Sequence, residues 1–277
     1  MNISETTQSF RLRRRTVPDL AVLPRPVYAR VEDIRLPKAT QPHSHPWIQL
    51  SYASRGVLKI HTAHGLFVAP PQWAILIPPN LEHVVMNSPG TQMRSLYIQT
   101  TSLPDAGPNC EVLAVSDLLR ETIRYFSGLP AEYDEHGAAG RIVQVMLDLV
   151  SAAPREGLTL PWPQDDGLRE ICGLMLDAPE KPMALEEWSA RQGVSVRTLE
   201  RVFLKQTGLN MRRWRLRARL LQALPRLERG DSVTDVALAC GYESTSAFIA
   251  SFRQFFGSTP GSFTPQGAAR RAGEVIS

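Results

Sequence analysis

The chain has 277 residues, enough for two domains that each bury a core, and its formal charge of +4 is too small to name a partner by itself. Cys110, Cys172 and Cys240 are scattered with no CxxC spacing, which argues against a disulfide framework or a cysteine zinc site. No signal-peptide pattern and no apolar run near ~18 residues is present, so a cytoplasmic protein without membrane association is expected.

Residues 1–26 are polar, with Arg11, Arg13, Arg14 and Arg15 clustered and Pro18, Pro24 and Pro26 opposing helix. A mobile tail is predicted there, with contact to phosphate or to a partner subunit as the alternative. From 27 to 103 the pattern turns to short β-like runs at 47–52, 57–61, 66–68, 73–77, 83–86 and 95–98, separated by Pro and Gly. Such spacing predicts a small antiparallel β-barrel. Five of the six histidines lie between His43 and His83. Because alternate residues of a strand share a face, His43, His45, Trp47 and Gln49 are expected to point into one lumen, with Pro46 a local irregularity. With Tyr52, Trp73 and His83 they form a candidate effector pocket. His61 and His64 flank a hairpin turn at Gly65 and are expected in solvent.

The run His43, His45, Gln49 and Gly56 resembles the first cupin motif, and Pro78, Asn80, His83 and Asn87 resemble the second. In that resemblance Gln49 stands where a metal-binding Glu is usual and Asn80 where Gly is usual. Asn tolerates the left-handed backbone that the turn needs. His43, His45 and His83 would suffice for a divalent ion with open positions. The amide at Gln49 removes a charge from such a site, so an effector pocket with no metal and no cofactor is the expected reading.

Residues 104–163 read as a linker followed by two helices, at 115–126 and 141–150. Leu118, Leu119, Thr122 and Phe126 form one apolar stripe, and Ile142, Val145, Met146 and Leu149 the other. The stripes either cover the barrel or form a dimer interface; sequence leaves both open. An interdomain linker is predicted at 157–166.

The last domain, 164–266, reads as all-α, with residues 267–277 a terminal tail. Its first helix carries Leu168, Ile171, Cys172, Met175 and Leu176 and ends at Ala178 and Pro179. Two units of the same layout follow: apolar run, Gly, Ser, apolar run. In the first, Leu185 and Trp188 pack inward, Gly193 stops the helix, Ser195 caps the next, and Leu199, Val202 and Phe203 bury. In the second, Val233, Val236, Ala237 and Cys240 share a face, Gly241 stops the helix, Ser244 caps, and Phe248, Phe252 and Phe255 bury. Ser232 and Asp235 fit a capping box. This is the layout of a helix-turn-helix, repeated with Gly193 and Gly241 48 positions apart. The helix expected between them, 210–228, would span ~28 Å at ~1.5 Å per residue, near the ~34 Å between successive major-groove faces.

Between Arg191 and Arg229 eleven basic residues face two acidic ones, an excess suited to phosphate. On the first recognition helix Ser195, Arg197, Thr198, Glu200 and Arg201 are the DNA-binding candidates. Arg197 and Arg201 suit guanine or phosphate and Glu200 suits cytosine, while an internal salt bridge is the alternative for Arg201. On the second, Thr245, Ser246 and Ile249 are short or apolar, so Ser244 and Arg253 are expected to position it on phosphate. The first unit should therefore supply most direct readout.

Leu199, Arg201, Phe203, Gly208, Ala237, Gly241, Tyr242, Ser244, Ser246, Phe248, Phe252, Arg253, Gly257 and Pro260 together resemble the AraC/XylS family of bacterial transcription regulators. Pro225, inside the connecting helix, departs from that pattern and predicts a kink near Leu224. The resemblance implies double-stranded DNA, a small-molecule effector, RNA polymerase and a second copy of the chain as partners, and no catalytic residue. It also makes a cupin-like sensor the natural companion domain, for an α+β protein overall. A metal-dependent cupin enzyme with an appended DNA-binding module is the rival class, which metal content and turnover would separate. An interaction module without sequence-specific binding is disfavoured by the paired units.

Overall fold

The computed structural model describes residues 13–17, 20, 22–179, 181, 185–265 and 267. It divides into two compact units, the first ending at Thr159 and the second beginning at Leu160.

Two six-stranded sheets are built from the first unit, except that the last strand of one, Thr159–Pro161, runs across the boundary between the units. One contains β1 (Arg13–Arg15), β3 (Lys38–Thr40), β5 (Leu58–Thr62), β6 (Gly65–Ala69), β8 (His83–Asn87) and β12 (Thr159–Pro161), in the order β1-β3-β8-β5-β6-β12. The other contains β2 (Val27–Ile34), β4 (Ile48–Arg55), β7 (Trp73–Ile77), β9 (Thr91–Ile98), β10 (Glu111–Ala114) and β11 (Arg155–Glu156), in the order β11-β10-β7-β4-β9-β2. The second sheet is antiparallel throughout, whereas β1 runs parallel to β3. Each sheet keeps its own edge strands, so the expected closed barrel is corrected to two separate sheets.

Three local readings also change. Arg13–Arg15 lies in the range expected to be a mobile tail but pairs with Lys38–Thr40. Arg15 is 8 % exposed and forms an ion pair with Glu32, which removes it from any phosphate contact; Arg11 lies outside the described residues. His61 is buried within β5, whereas His64 is exposed in the two-residue turn that joins β5 to β6.

Strand alternation builds the larger core. Ile48, Leu50 and Tyr52 on β4 point to one side of the second sheet, where they pack with Leu76, Leu96 and Ile98. Two helices, α1 (Asp117–Phe126) and α2 (Ala138–Ala152), close over that face. Leu119, Thr122, Ile123 and Phe126 are the buried positions of α1, at i, i+3, i+4 and i+7. That stripe is turned from the expected one, because Ile123 takes the inward place and Leu118 is 58 % exposed. Ser116 caps α1 by accepting from the Leu119 N–H at 3.2 Å. Burying each large apolar side chain here contributes ~1.5–3 kcal/mol.

The second unit is helical: α3 (Asp166–Asp177), α4 (Leu185–Arg191), α5 (Val196–Thr207), α6 (Met211–Arg229), α7 (Val233–Ala239) and α8 (Thr245–Phe256), closed by a 3-10 turn at Pro260–Phe263. Its axis is α6, whose fully buried Trp214 meets the Phe203 ring at 6.1 Å and donates from Nε1 to the Pro161 carbonyl at 2.7 Å. The helix runs unbroken through Pro225. Pro225 offers no N–H to the Leu221 carbonyl, and the buried Leu220, Leu221, Ala223, Leu224 and Leu227 hold the helix together around it.

Candidate functional site

Chemistry-bearing side chains gather in two places, one in each unit. The helical unit carries α4-turn-α5 and α7-turn-α8, built by the same local rules. Gly193 and Gly241 adopt left-handed backbone with φ of 64° and 72°. In each turn the following residue reaches back over the helix end: Val194 N–H to the Ser189 carbonyl at 3.0 Å, Tyr242 N–H to the Ala237 carbonyl at 3.0 Å. That is the glycine-ended stop expected from the two Gly-Ser spacings. Ser195 then caps α5 by accepting from the Thr198 N–H at 3.2 Å, and Ser244 caps α8 by accepting from the Ala247 N–H at 3.2 Å. Ser232 caps α7 in the same manner and donates its hydroxyl to Asp235 at 2.7 Å.

Each second helix buries one face and offers the other. On α5, Leu199 and Phe203 are buried, while Arg197, Glu200 and Arg201 are exposed and make no ion pair among the described residues. The Ser195 and Thr198 hydroxyls contact each other at 3.0 Å, so both belong to the cap. On α8, Phe248 and Phe252 are fully buried, and Ser246, Ile249, Ala250, Arg253 and Gln254 line an open concavity. Thr245 is within 3.4 Å of the Thr234 hydroxyl. Gln254 lines the same concavity, a position that helical spacing alone passed over. Phe255 is only half-buried, under the Arg217 guanidinium at 5.4 Å.

Part of the arginine excess is structural. Arg219 of α6 donates to the carbonyls of Cys240 and Gly241 and sits 4.2 Å over the Tyr242 ring, clamping the second turn onto the connecting helix. Arg215 donates to the Pro179 carbonyl at 3.0 Å. Arg212 and Arg213 are exposed.

The second gathering lies where the loop before β4 meets the start of β8. His43 and His83 exchange backbone hydrogen bonds at 3.1 and 2.9 Å, and the Asn80 N–H donates to the His45 carbonyl at 2.8 Å. Asn80 has a φ of 60°, the left-handed conformation expected of it. His43, His45 and His83 each offer a ring nitrogen within 4.8 Å of the others. In each ring Nδ1 faces a backbone carbonyl: Gln41 for His43 at 2.9 Å, Trp47 for His45 at 2.9 Å, Leu81 for His83 at 2.8 Å. A carbonyl only accepts, so each Nδ1 carries the proton and a neutral ring keeps its lone pair on Nε2. Burial favours neutral rings by lowering all three pKa values, that of His83 to about 3 with His43 nearby adding to the effect.

Gln49 lies beside them, its side-chain oxygen 2.9 Å from His45 Nε2 and its amide nitrogen 2.7 Å from the Ser51 hydroxyl. Trp47 stacks on His45 at 5.1 Å and packs with Tyr97 and Leu23. Tyr97, opposite Gln49 in the strand register and 6.1 Å from His45, belongs to this wall although no sequence motif marks it. Two of the candidate pocket residues lie elsewhere. Tyr52 is three positions from Gln49, so alternation turns it to the opposite face, under α1 and α2. Trp73 stands at the far end of β7 from Ile77, the residue paired with Gln49.

No helix among the described residues is long and apolar enough to cross a membrane. Residues 34–175 match a family model described as an AraC-like ligand binding domain, and 188–266 match one described as a helix-turn-helix domain. Over 221 residues the chain is 32% identical to the HTH-type transcriptional regulator NimR of Escherichia coli (strain K12), spanning 80% of this chain and 81% of that protein. The HTH-type transcriptional regulator RipA of Corynebacterium glutamicum is 37% identical over 106 residues, 38% of this chain and 32% of RipA. Among solved structures, ToxT from Vibrio cholerae aligns with a TM-score of 0.36 at 11% identity, over 86% of this chain and 98% of ToxT. With both family models matched in their order and a regulator related over four-fifths of its length, the chain belongs to the AraC family of helix-turn-helix transcriptional regulators.

Proposed function

We propose that this regulator reads its operator chiefly through α5, uses α8 to fix the second unit on the DNA backbone, and takes a small-molecule effector beside His43, His45, Gln49 and His83. The contrast between the two exposed helix faces carries this reading. Arg197, Glu200 and Arg201 can form bidentate or directional bonds to base edges, whereas Ser246, Ile249 and Ala250 offer only short or apolar contacts beside Arg253. The buried imidazoles, with an amide where a catalytic metal site usually carries a charge, favour a sensing pocket over an enzyme.

A homodimer fits the same account. Leu118 and Tyr125 on α1 and Val145 on α2 are 58, 56 and 43 % exposed on the side turned away from the sheet. Apolar residues grouped on adjoining helices suit a partner surface of the same kind. Promoter-bound dimers would then meet RNA polymerase in the cytoplasm.

Selection of bound duplexes from a random pool by the full chain, followed by the Arg201→Ala variant, tests the reading. We expect a bipartite site with its stronger base preferences under one half, and loss of preference at one position in the variant. A selected site whose information lies wholly under the half retained by the variant would overturn the ranking of the two helices.

A further inference from the structure

We propose that His43, His45 and His83, through Nε2, together with the side-chain oxygen of Gln49, form a binding site for one late first-row divalent transition ion per chain. The proposal goes beyond effector binding and does not depend on it. Three separate features of the cluster carry it.

First, all three rings are oriented alike. Each Nδ1–H is tied to a different backbone carbonyl, at Gln41, Trp47 and Leu81. Anchoring one ring nitrogen on a carbonyl fixes the tautomer, aims the other, and raises its basicity as a ligand.

Second, His83 is fully buried and its Nε2 has no hydrogen-bond partner among the described residues. A buried acceptor left without a donor is costly, commonly ~1–3 kcal/mol. The atom lies in the cluster beside His43 and His45, whose rings are 4.2 and 5.1 Å away. A cation there would satisfy it.

Third, the His45 Nε2 lone pair and the Gln49 oxygen face each other at 2.9 Å, while the Gln49 amide nitrogen is held by Ser51 at 2.7 Å. Two acceptors at that separation repel unless a cation lies between them or the amide turns over. Adjacent ligands on one ion at ~2.1 Å per bond stand roughly 3.0–3.4 Å apart, from a right angle to a tetrahedral one, and the spacing seen is at the short end of that range. Ligands on one ion can be no more than ~4.2 Å apart at such bond lengths. The three histidines each offer a ring nitrogen within 4.8 Å of the others, so side-chain movement is needed to close the set on one ion.

The donor set selects the ion. Three imidazoles and a neutral amide suit zinc, nickel, cobalt or copper and disfavour magnesium and calcium, which prefer oxygen ligands. With no carboxylate in the set, the ion keeps its full double charge.

Full-length protein without an affinity tag, stripped with chelator and dialysed, is titrated with zinc chloride by calorimetry and with cobalt chloride by visible absorption. We expect saturation at one ion per chain, a cobalt d–d band, and no response to magnesium. His43→Gln, at a half-buried position, should weaken zinc binding on the order of 100-fold or more with the thermal transition of the stripped protein unchanged. His83→Gln should do the same if it folds, and Gln49→Glu should tighten binding. Absence of saturable binding in the wild-type chain overturns the proposal. So does equal affinity in His43→Gln, which would move the ion to another site, and an unchanged affinity in Gln49→Glu removes the amide from the ligand set.

Discussion

Arg201 and Arg219 illustrate how differently two arginines of one basic segment are employed. Arg201 is exposed on α5 beyond the buried Leu199 and Phe203, with no ion pair among the described residues to compete for it. Replacing it with Ala should cost ~1–3 kcal/mol of specific affinity and relax preference at one base pair, measured by anisotropy on the selected site and on scrambled duplex. Arg219 instead holds the Cys240 and Gly241 carbonyls and covers Tyr242. Arg219→Ala should destabilise the helical unit by ~1.5–3 kcal/mol, the range for hydrogen bonds to a charged group, seen as a lower urea midpoint. Arg219→Lys should recover only part of that, because an ammonium cannot fork between two carbonyls. Retention of full stability in Arg219→Ala would show that the turn does not need its clamp.

At the scale of elements, caps and stops were legible because they depend on few neighbours. Gly193, Gly241, Ser195, Ser232 and Ser244 each act within one turn of chain, and each does what its spacing implied. Asn80 likewise keeps a left-handed turn without Gly. Ser244→Ala should cost ~0.5–2 kcal/mol of stability, read from chemical denaturation, with Ser244→Asp close to neutral. Gly56, at a φ of 84°, is stricter: a Cβ there would lie 2.3 Å from the Thr91 hydroxyl oxygen. Gly56→Ala should therefore lower the melting temperature of the sensor unit, whereas Gly90→Ala, with open space around it, should cost only backbone strain. What sequence did not reveal depends on partners far along the chain. The pairing of Val27–Ile34 with Thr91–Ile98 and of Glu111–Ala114 with Trp73–Ile77 arises from register, not from local pattern. The placement of Tyr52 was recoverable, since an odd separation from Gln49 already fixes opposite faces. The Nδ1 anchors of the three histidines were not, because loop carbonyls supply them.

For the whole molecule, two physically distinct devices share one chain. A pair of sheets, one of them covered on one face by α1 and α2, carries an imidazole cluster, and a helical unit exposes two capped helices around a single buried axis. If the outward faces of α1 and α2 join two copies, Leu118→Glu with Tyr125→Glu should give monomers at micromolar concentration by sedimentation velocity, with circular dichroism unchanged. A persistent dimer would place the interface elsewhere. The axis α6 matters for operator geometry: at ~1.5 Å per residue its 19 residues span about 28 Å, near the ~34 Å of one helical turn. The most direct measurement is selection of duplexes from a random pool by the full chain at physiological salt. The account predicts enrichment of sites with two preferred segments about one turn, ~10–10.5 base pairs, apart. Binding with no preference over random competitor, or a single short segment with nothing one turn away, would contradict it.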